Sequence, residues 1–151
     1  MLEWELRARL EILDLVSRYT WCGDFGDAEG FADCFTPDAE LTVKDGPEYA
    51  GREGLLALAR GERTRLDPER LAASGPLHHH VSSVRVELLS ESRARTRAYF
   101  LVLGRRGPDH WGRYADEVER RDGRWLLHRR RVSVDGAAVG SVPYPEGRLG
   151  S

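Results

Sequence analysis

Apolar residues recur at helical spacing from Leu2 to about Trp21. Leu2, Leu6, Leu10 and Leu13 form one row, and Ile12, Val16 and Tyr19 widen it. Gly23 is the expected stop. A second, short helix is expected from Asp27, a good N-cap, with Phe31, Cys34 and Phe35 on one side. The run Thr36-Pro37-Asp38 ends it, and Glu40–Lys44 alternate as a half-buried strand does. After a turn at Asp45-Gly46-Pro47, Arg52–Arg63 reads as a third helix built around Leu55, Leu56, Leu58 and Ala59. Beyond a polar stretch ending at Gly75-Pro76 the period changes to two. Strands are expected at His80–Leu89, Ala94–Leu103, Trp111–Arg120 and Trp125–Val134. A turn at Ser90–Ser92, a Gly/Pro loop at Gly104–Asp109 and a hairpin signal at Asp122-Gly123 separate them.

The order α-α-β-α-β-β-β-β argues an α+β fold. A curved, mainly antiparallel sheet wrapped around three N-terminal helices makes a cone. Its interior, open at one end, suits a small molecule. One domain is expected over residues 1–136, with a loose tail over 137–151.

Composition narrows the partners. The chain has 151 residues, 40% of them hydrophobic, and a formal net charge of -2. Balanced charge gives no case for nucleic acid. No apolar run approaches the roughly 18 residues of a membrane span. The start MLEWELRARLEILDL lacks the apolar segment and cleavage site of a signal peptide, so a cytoplasmic location is expected. Cys22 and Cys34 make no disulfide framework and read as packed thiols. Lys44 is the only lysine, which leaves one candidate for a Schiff base. No Rossmann fingerprint, P-loop or nucleophile elbow is present, and no cofactor is implied. His78, His79 and His80 invite a metal reading, but strand alternation puts at most two of them on one side. Purified protein is therefore expected to hold no stoichiometric zinc or iron, which elemental analysis checks.

The element order, with RYTWCGDFGD, FTPDAEL, GREGL, HHHVSSVRVE, GRYADEVERRDGRW and the closing RRRV, resembles the SnoaL-like branch of the nuclear transport factor 2-like superfamily. The resemblance spans roughly residues 5–135. It implies the cone fold and points to scytalone dehydratase, bile-acid 7α-dehydratase, a dehydrochlorinase, polyketide cyclases and, more distantly, ketosteroid isomerase. Those are largely lyases and isomerases without cofactors, although some relatives only support a partner. The scaffold hosts unlike chemistries, so the reaction has to be argued from the site.

Asp24 and His79 stand where the resembled dehydratases and dehydrochlorinase join a carboxylate to a histidine base. Imidazole suits proton abstraction near neutral pH, and a carboxylate on one ring nitrogen sets its tautomer. Asp24 reads equally as a helix-terminal turn residue between Gly23 and Gly26. A register error of one residue would exchange His79 with His78 or His80. Tyr19 is a proton donor by the resemblance, or else a core aromatic. It lies about 140° around the helix from Asp24, so both face the cavity only if the helix ends or bends near Gly23. The dehydrochlorinase carries a lysine there, which weighs against halide elimination here.

Arg130 shares strand parity with Leu126 and Val132 and is the member of Arg129-Arg130-Arg131 expected to enter the cavity. There it can bind a carboxylate, enolate or phenolate oxygen, the alternative being a solvated cationic edge. His110, Tyr114 and Asp116 share parity with Val118. Asp116 is a second acid/base candidate or half of a cross-strand ion pair. Trp21, Phe100 and Trp111 are expected to line the site or the core.

The expected function is dehydration, cyclisation or isomerisation of a small, partly apolar carbonyl compound, a polyketide- or steroid-like metabolite being one such. The alternatives are a ligand-binding or partner-supporting domain, and a cofactor-free oxygenase. The outer sheet face, with Arg95, Arg97 and Tyr99 of one parity, is a surface for a symmetric homodimer.

Overall fold

The computed structural model describes residues 1–62 and 66–149. Helix α1 covers Glu3–Asp24. At its start the Glu5 carboxylate accepts the Leu2 N–H at 2.7 Å. It runs through Gly23 rather than ending there, and the Phe25 N–H still bonds the Trp21 carbonyl. Of its two adjacent apolar rows the sheet takes the second: Ala8, Ile12, Leu15 and Val16 are buried. The expected row is outside, with Leu2 62% and Leu13 41% exposed. Arg9 pins this rotation by donating to the Val86 carbonyl at 2.7 Å. No helix among the described residues is long and apolar enough to cross a membrane.

Helix α2 is Ala28–Asp33, capped by Asp27, whose carboxylate accepts the Gly30 N–H. Strand β1 (Phe35–Val43) begins well before the expected Glu40. Pro37 sits inside it because the pairing slips between Phe35 and Glu40, where no ladder N–H is required. Two elements carry too few residues for periodicity to reveal: strand β2 (Glu48–Ala50) and helix α4 (Pro68–Ser74). Helix α3 is Gly51–Ala59; its expected end at Arg63 lies outside the described residues.

Strands β3 (His78–Leu88), β4 (Arg93–Gly104), β5 (Gly107–Arg121) and β6 (Arg124–Ala137) follow as antiparallel neighbours. A tight turn, not a loop, joins β4 to β5, since Gly104 already pairs with Gly107. The sheet order is β2-β1-β6-β5-β4-β3, with β7 (Arg148–Leu149) also on β6. The β1–β6 pair is parallel. The fold is thus the expected α+β one, a mainly antiparallel sheet behind N-terminal helices, with four helices among the described residues rather than three. Within the expected tail the described residues pack: Arg148–Leu149 pairs with β6, and Ser141 and Val142 are buried.

Helix α1 packs against β3 and β6, and α3 against β1. The main core joins Ile12, Leu15, Phe31, Phe35, Leu41, Leu55, Val118 and Leu127. A second cluster of Ala98, Phe100, Val102 and Tyr114 covers the inner face of β4 and β5. Gly112 lets Phe100 lie flat there. A Cβ at Gly112 would strike the Ser133 carbonyl and come within 2.9 Å of the Phe100 ring. Gly112→Ala is expected to cost about 1–3 kcal/mol, seen as a lower melting temperature.

On β6 the pairing shifts between Glu117 and Val118, leaving His128 without an opposite residue. Such a bulge flips parity along a strand. Trp125 and Leu127 face inward before it, and Arg130 faces inward after it. Arg130 therefore does enter the interior, sharing its side with Val132 but not with Leu126.

Candidate active site

The last residue of α1 meets the start of β3. Asp24 Oδ1 lies 2.6 Å from His79 Nδ1, and Asp24 Oδ2 accepts the His79 backbone N–H at 2.8 Å. Helix end and strand start are thus tied by one carboxylate. An ionised carboxylate only accepts, so the ring proton sits on Nδ1 and Nε2 is left as the free nitrogen. The Asp24 side chain is 7% exposed, whereas the imidazole remains 35% open. His78 and His80 are exposed on the opposite side of β3, and His78 stacks on Phe25. Among the described residues no group of three or more His, Cys, Asp or Glu is arranged to hold a metal.

Behind the dyad lies a second charged centre. The Arg130 side chain has no exposed surface and forms a two-pronged pair with Asp116, Nε to Oδ1 and Nη2 to Oδ2, both at 2.8 Å. Thr96 Oγ1 also donates to Asp116 Oδ2. Burial alone would push the guanidinium toward neutrality, but Asp116 outweighs it and Arg130 stays charged. Its Cζ lies over the rings of both Tyr19 and Tyr114, 4.2 and 4.0 Å from their centroids, and the two rings meet edge-on. Burial keeps both tyrosines protonated, against the pull of Arg130. One donor, Arg130 Nη1, is buried with no partner.

An aromatic stack links the two centres. Tyr114 stacks on Phe100 at 4.7 Å, and the Phe100 ring is 6.4 Å from that of His79. Tyr19 packs against Phe31 and Phe35. Asp24, His79, Tyr19, Arg130, Phe100, Tyr114 and Asp116 are therefore gathered on the interior side. Two expected lining residues are not. Trp21 is 66% exposed and stacks on Phe25, because α1 continues past it without a bend. Trp111 is on the outer face of β5, where its indole covers the backbone at Gly136. Asp116 already spends both oxygens on Arg130 and Thr96, which is the ion-pair arrangement.

His110 was read only as an inward residue, and its ring stands edge-on to that of His79, centroids 6.4 Å apart. Its partners, Asp109 and Tyr144, lie in segments that read as loop and tail, so no periodic signal marked them. Cys34 is buried, and burial pushes its thiol up to about 12, which removes it as a nucleophile. Concavities of about 560 Å³ on the outer sheet face and 550 Å³ beside α4 do not include His79. The chemistry-bearing groups, not the volume of these hollows, mark the site.

Solved structures resemble this fold over most of the chain. A function-unknown protein of Mycobacterium tuberculosis is 26% identical, with 87% of this chain and 73% of that one covered and a TM-score of 0.73. The hexachlorocyclohexane dehydrochlorinase of Novosphingobium barchaimii is 25% identical, with 87% and 89% covered and a TM-score of 0.71. A candidate scytalone dehydratase of Novosphingobium aromaticivorans, at 24% identity, shares the fold, with 89% and 88% covered and a TM-score of 0.74. No curated protein matches the chain. The SnoaL-like domain pattern matches residues 4–131, most of the length, and the chain belongs to that family.

Proposed function

We propose that the protein is a cofactor-independent lyase or isomerase, of dehydratase or cyclase type, acting on a small, partly apolar carbonyl compound. The observation that carries this reading is the 2.6 Å contact between Asp24 and His79, with the imidazole still open to solvent. Similarity to a dehydrochlorinase, which also works by removing a proton from carbon and expelling a leaving group, supports the same reaction class. His79 Nε2 takes a proton from the carbon next to the carbonyl. Asp24 holds the ring in that tautomer and stabilises the imidazolium that forms. Tyr19 supplies a phenol for the developing oxyanion, and the enclosed Arg130 adds positive charge from behind it rather than by contact. The proton then returns from His79 to the departing hydroxyl, or to another carbon in an isomerisation. The exposed Arg95, Arg97 and Tyr99 remain the proposed surface for a symmetric homodimer, which sedimentation analysis tests.

The test needs only half the reaction. Cyclic and aromatic β-hydroxy ketones are incubated with protein in D₂O, and deuterium uptake beside the carbonyl and loss of water are followed by mass spectrometry. Both are expected with wild type and with His78→Ala and His80→Ala, and neither with His79→Ala. Uptake that survives in His79→Ala, or is lost in a neighbour's variant, overturns the assignment.

A further inference from the structure

Asp24–His79 is not the only carboxylate-backed imidazole in the interior. Strand β5 has an irregularity at Asp109: Val102 pairs with His110, but Leu103 already pairs with Pro108. This bulge lets two adjacent residues bond to each other, His110 Nδ1 lying 2.7 Å from Asp109 Oδ1. Asp109 is held from its other side by the C-terminal segment. Its Oδ1 accepts from Ser141 Oγ at 2.7 Å, and its Oδ2 from the Val142 N–H at 3.1 Å. Burial opposes charge on this carboxyl, but the bonds from Ser141, His110 and Val142 outweigh it and keep it ionised.

The arrangement fixes what His110 offers. An ionised Asp109 can only accept, so the proton of the neutral ring is on Nδ1. Burial pushes the imidazole below its ordinary range, against the pull of Asp109, so the ring is neutral at pH 7. Its Nε2 is then an acceptor. Among the described residues neither His110 Nε2 nor His79 Nε2 has a protein partner, and neither belongs to the sealed unpartnered atoms. The His110 side chain is 15% exposed, and its ring faces His79, Phe100 and Tyr144.

We propose that His110, oriented by Asp109 and the C-terminal segment, is a substrate-binding residue of the His79 site that accepts a hydrogen bond from the leaving hydroxyl of a β-hydroxy carbonyl compound. This deepens the lyase reading and rests on it for the chemical step. His79 Nε2 removes the α proton, and the C–H electron pair becomes the α,β double bond. The β C–O bond breaks with its pair going to oxygen. That oxygen takes the proton from the His79 imidazolium and departs as water, and both rings end as they began. With its hydrogen given to His110, the hydroxyl presents its lone pairs elsewhere, free for His79. A chloride has no proton to offer His110, so the site selects alcohols over halides.

The test uses the full chain with ¹⁵N-labelled histidine and two probes, 3-hydroxyindan-1-one and indan-1-one. Wild type is expected to bind the hydroxy compound about three- to tenfold more tightly, the effect of one neutral hydrogen bond. Binding should shift the His110 Nε2 resonance while that nitrogen stays unprotonated. His110→Ala is expected to lose the preference and keep its affinity for indan-1-one. Equal affinities in wild type, a preference that survives in His110→Ala, or an Nε2-protonated ring each overturn the inference. The wild-type measurements need no variant to fold. Wild type that shows the preference but never releases water sinks the lyase reading and leaves this one standing.

Discussion

Asp116→Ala is expected to lose about 3–5 kcal/mol of folding stability, the cost of leaving a buried charge without its partner. Arg130 is the side chain left behind, fully enclosed and packed against two tyrosine rings. A domain of this size has a total stability of roughly 5–15 kcal/mol, so a fifth or more of it disappears. Thermal melting should fall by about 6–20 °C. The pair itself is not the source of stability, because two charges were taken from water to make it. Arg130→Met combined with Asp116→Leu is therefore expected to recover most of the loss. If the single variant melts like wild type, the pair is not as sealed as its contacts imply. If the double variant melts no higher than the single one, packing around the guanidinium rather than its charge is what holds this region.

Asp24→Asn is expected to reduce proton abstraction by about two or more decades while the fold survives. The amide has nearly the shape of the carboxylate, and its oxygen can still accept the His79 backbone N–H that joins α1 to β3. What it lacks is charge. It stabilises no imidazolium, and its NH₂ can face Nδ1 and select the tautomer with Nε2 blocked. Deuterium uptake into a β-hydroxy ketone, measured beside thermal melting, checks both halves. A variant with wild-type melting and wild-type exchange would reduce Asp24 to a splice between helix and strand. Should the variant melt early, ¹⁵N shifts of His79 in wild type still test the tautomer directly: a neutral ring protonated at Nε2 contradicts the assignment.

The features legible in the sequence were those set by local period. Alternation along β3 separates His79 from His78 and His80, and alternation along β5 turns Tyr114 and Asp116 inward. Parity arguments hold only while a strand is regular. His128 interrupts β6, so Arg130 faces inward with Val132 although Leu126 does not. Asp109 interrupts β5 in the same way and becomes a partner of its own neighbour. Helix rotation was equally hidden. Two apolar rows lie side by side on α1, and only the sheet it meets decides that Ile12 and Leu15 go inside while Leu6 and Leu10 stay out. Gly23 carries a stop signal that Phe31, packed against it, overrides, and this leaves Trp21 outside.

The parallel pairing of β1 with β6 has a consequence for how the chain reaches this state. Leu41 lies beside Arg130 and Val43 beside Val132, with most of the sequence between them. Such distant contacts form late, because a long loop must close before they return any energy. Strand β6 also carries β5 and β7, so the sheet has no centre until β6 is available. A ribosome releases it only after β1 to β5 have emerged. Until then α1 can bury its inner row only in part, against α2 and β3. Apolar surface stays uncovered for that interval, and refolding from denaturant should be slow and prone to aggregate at high concentration.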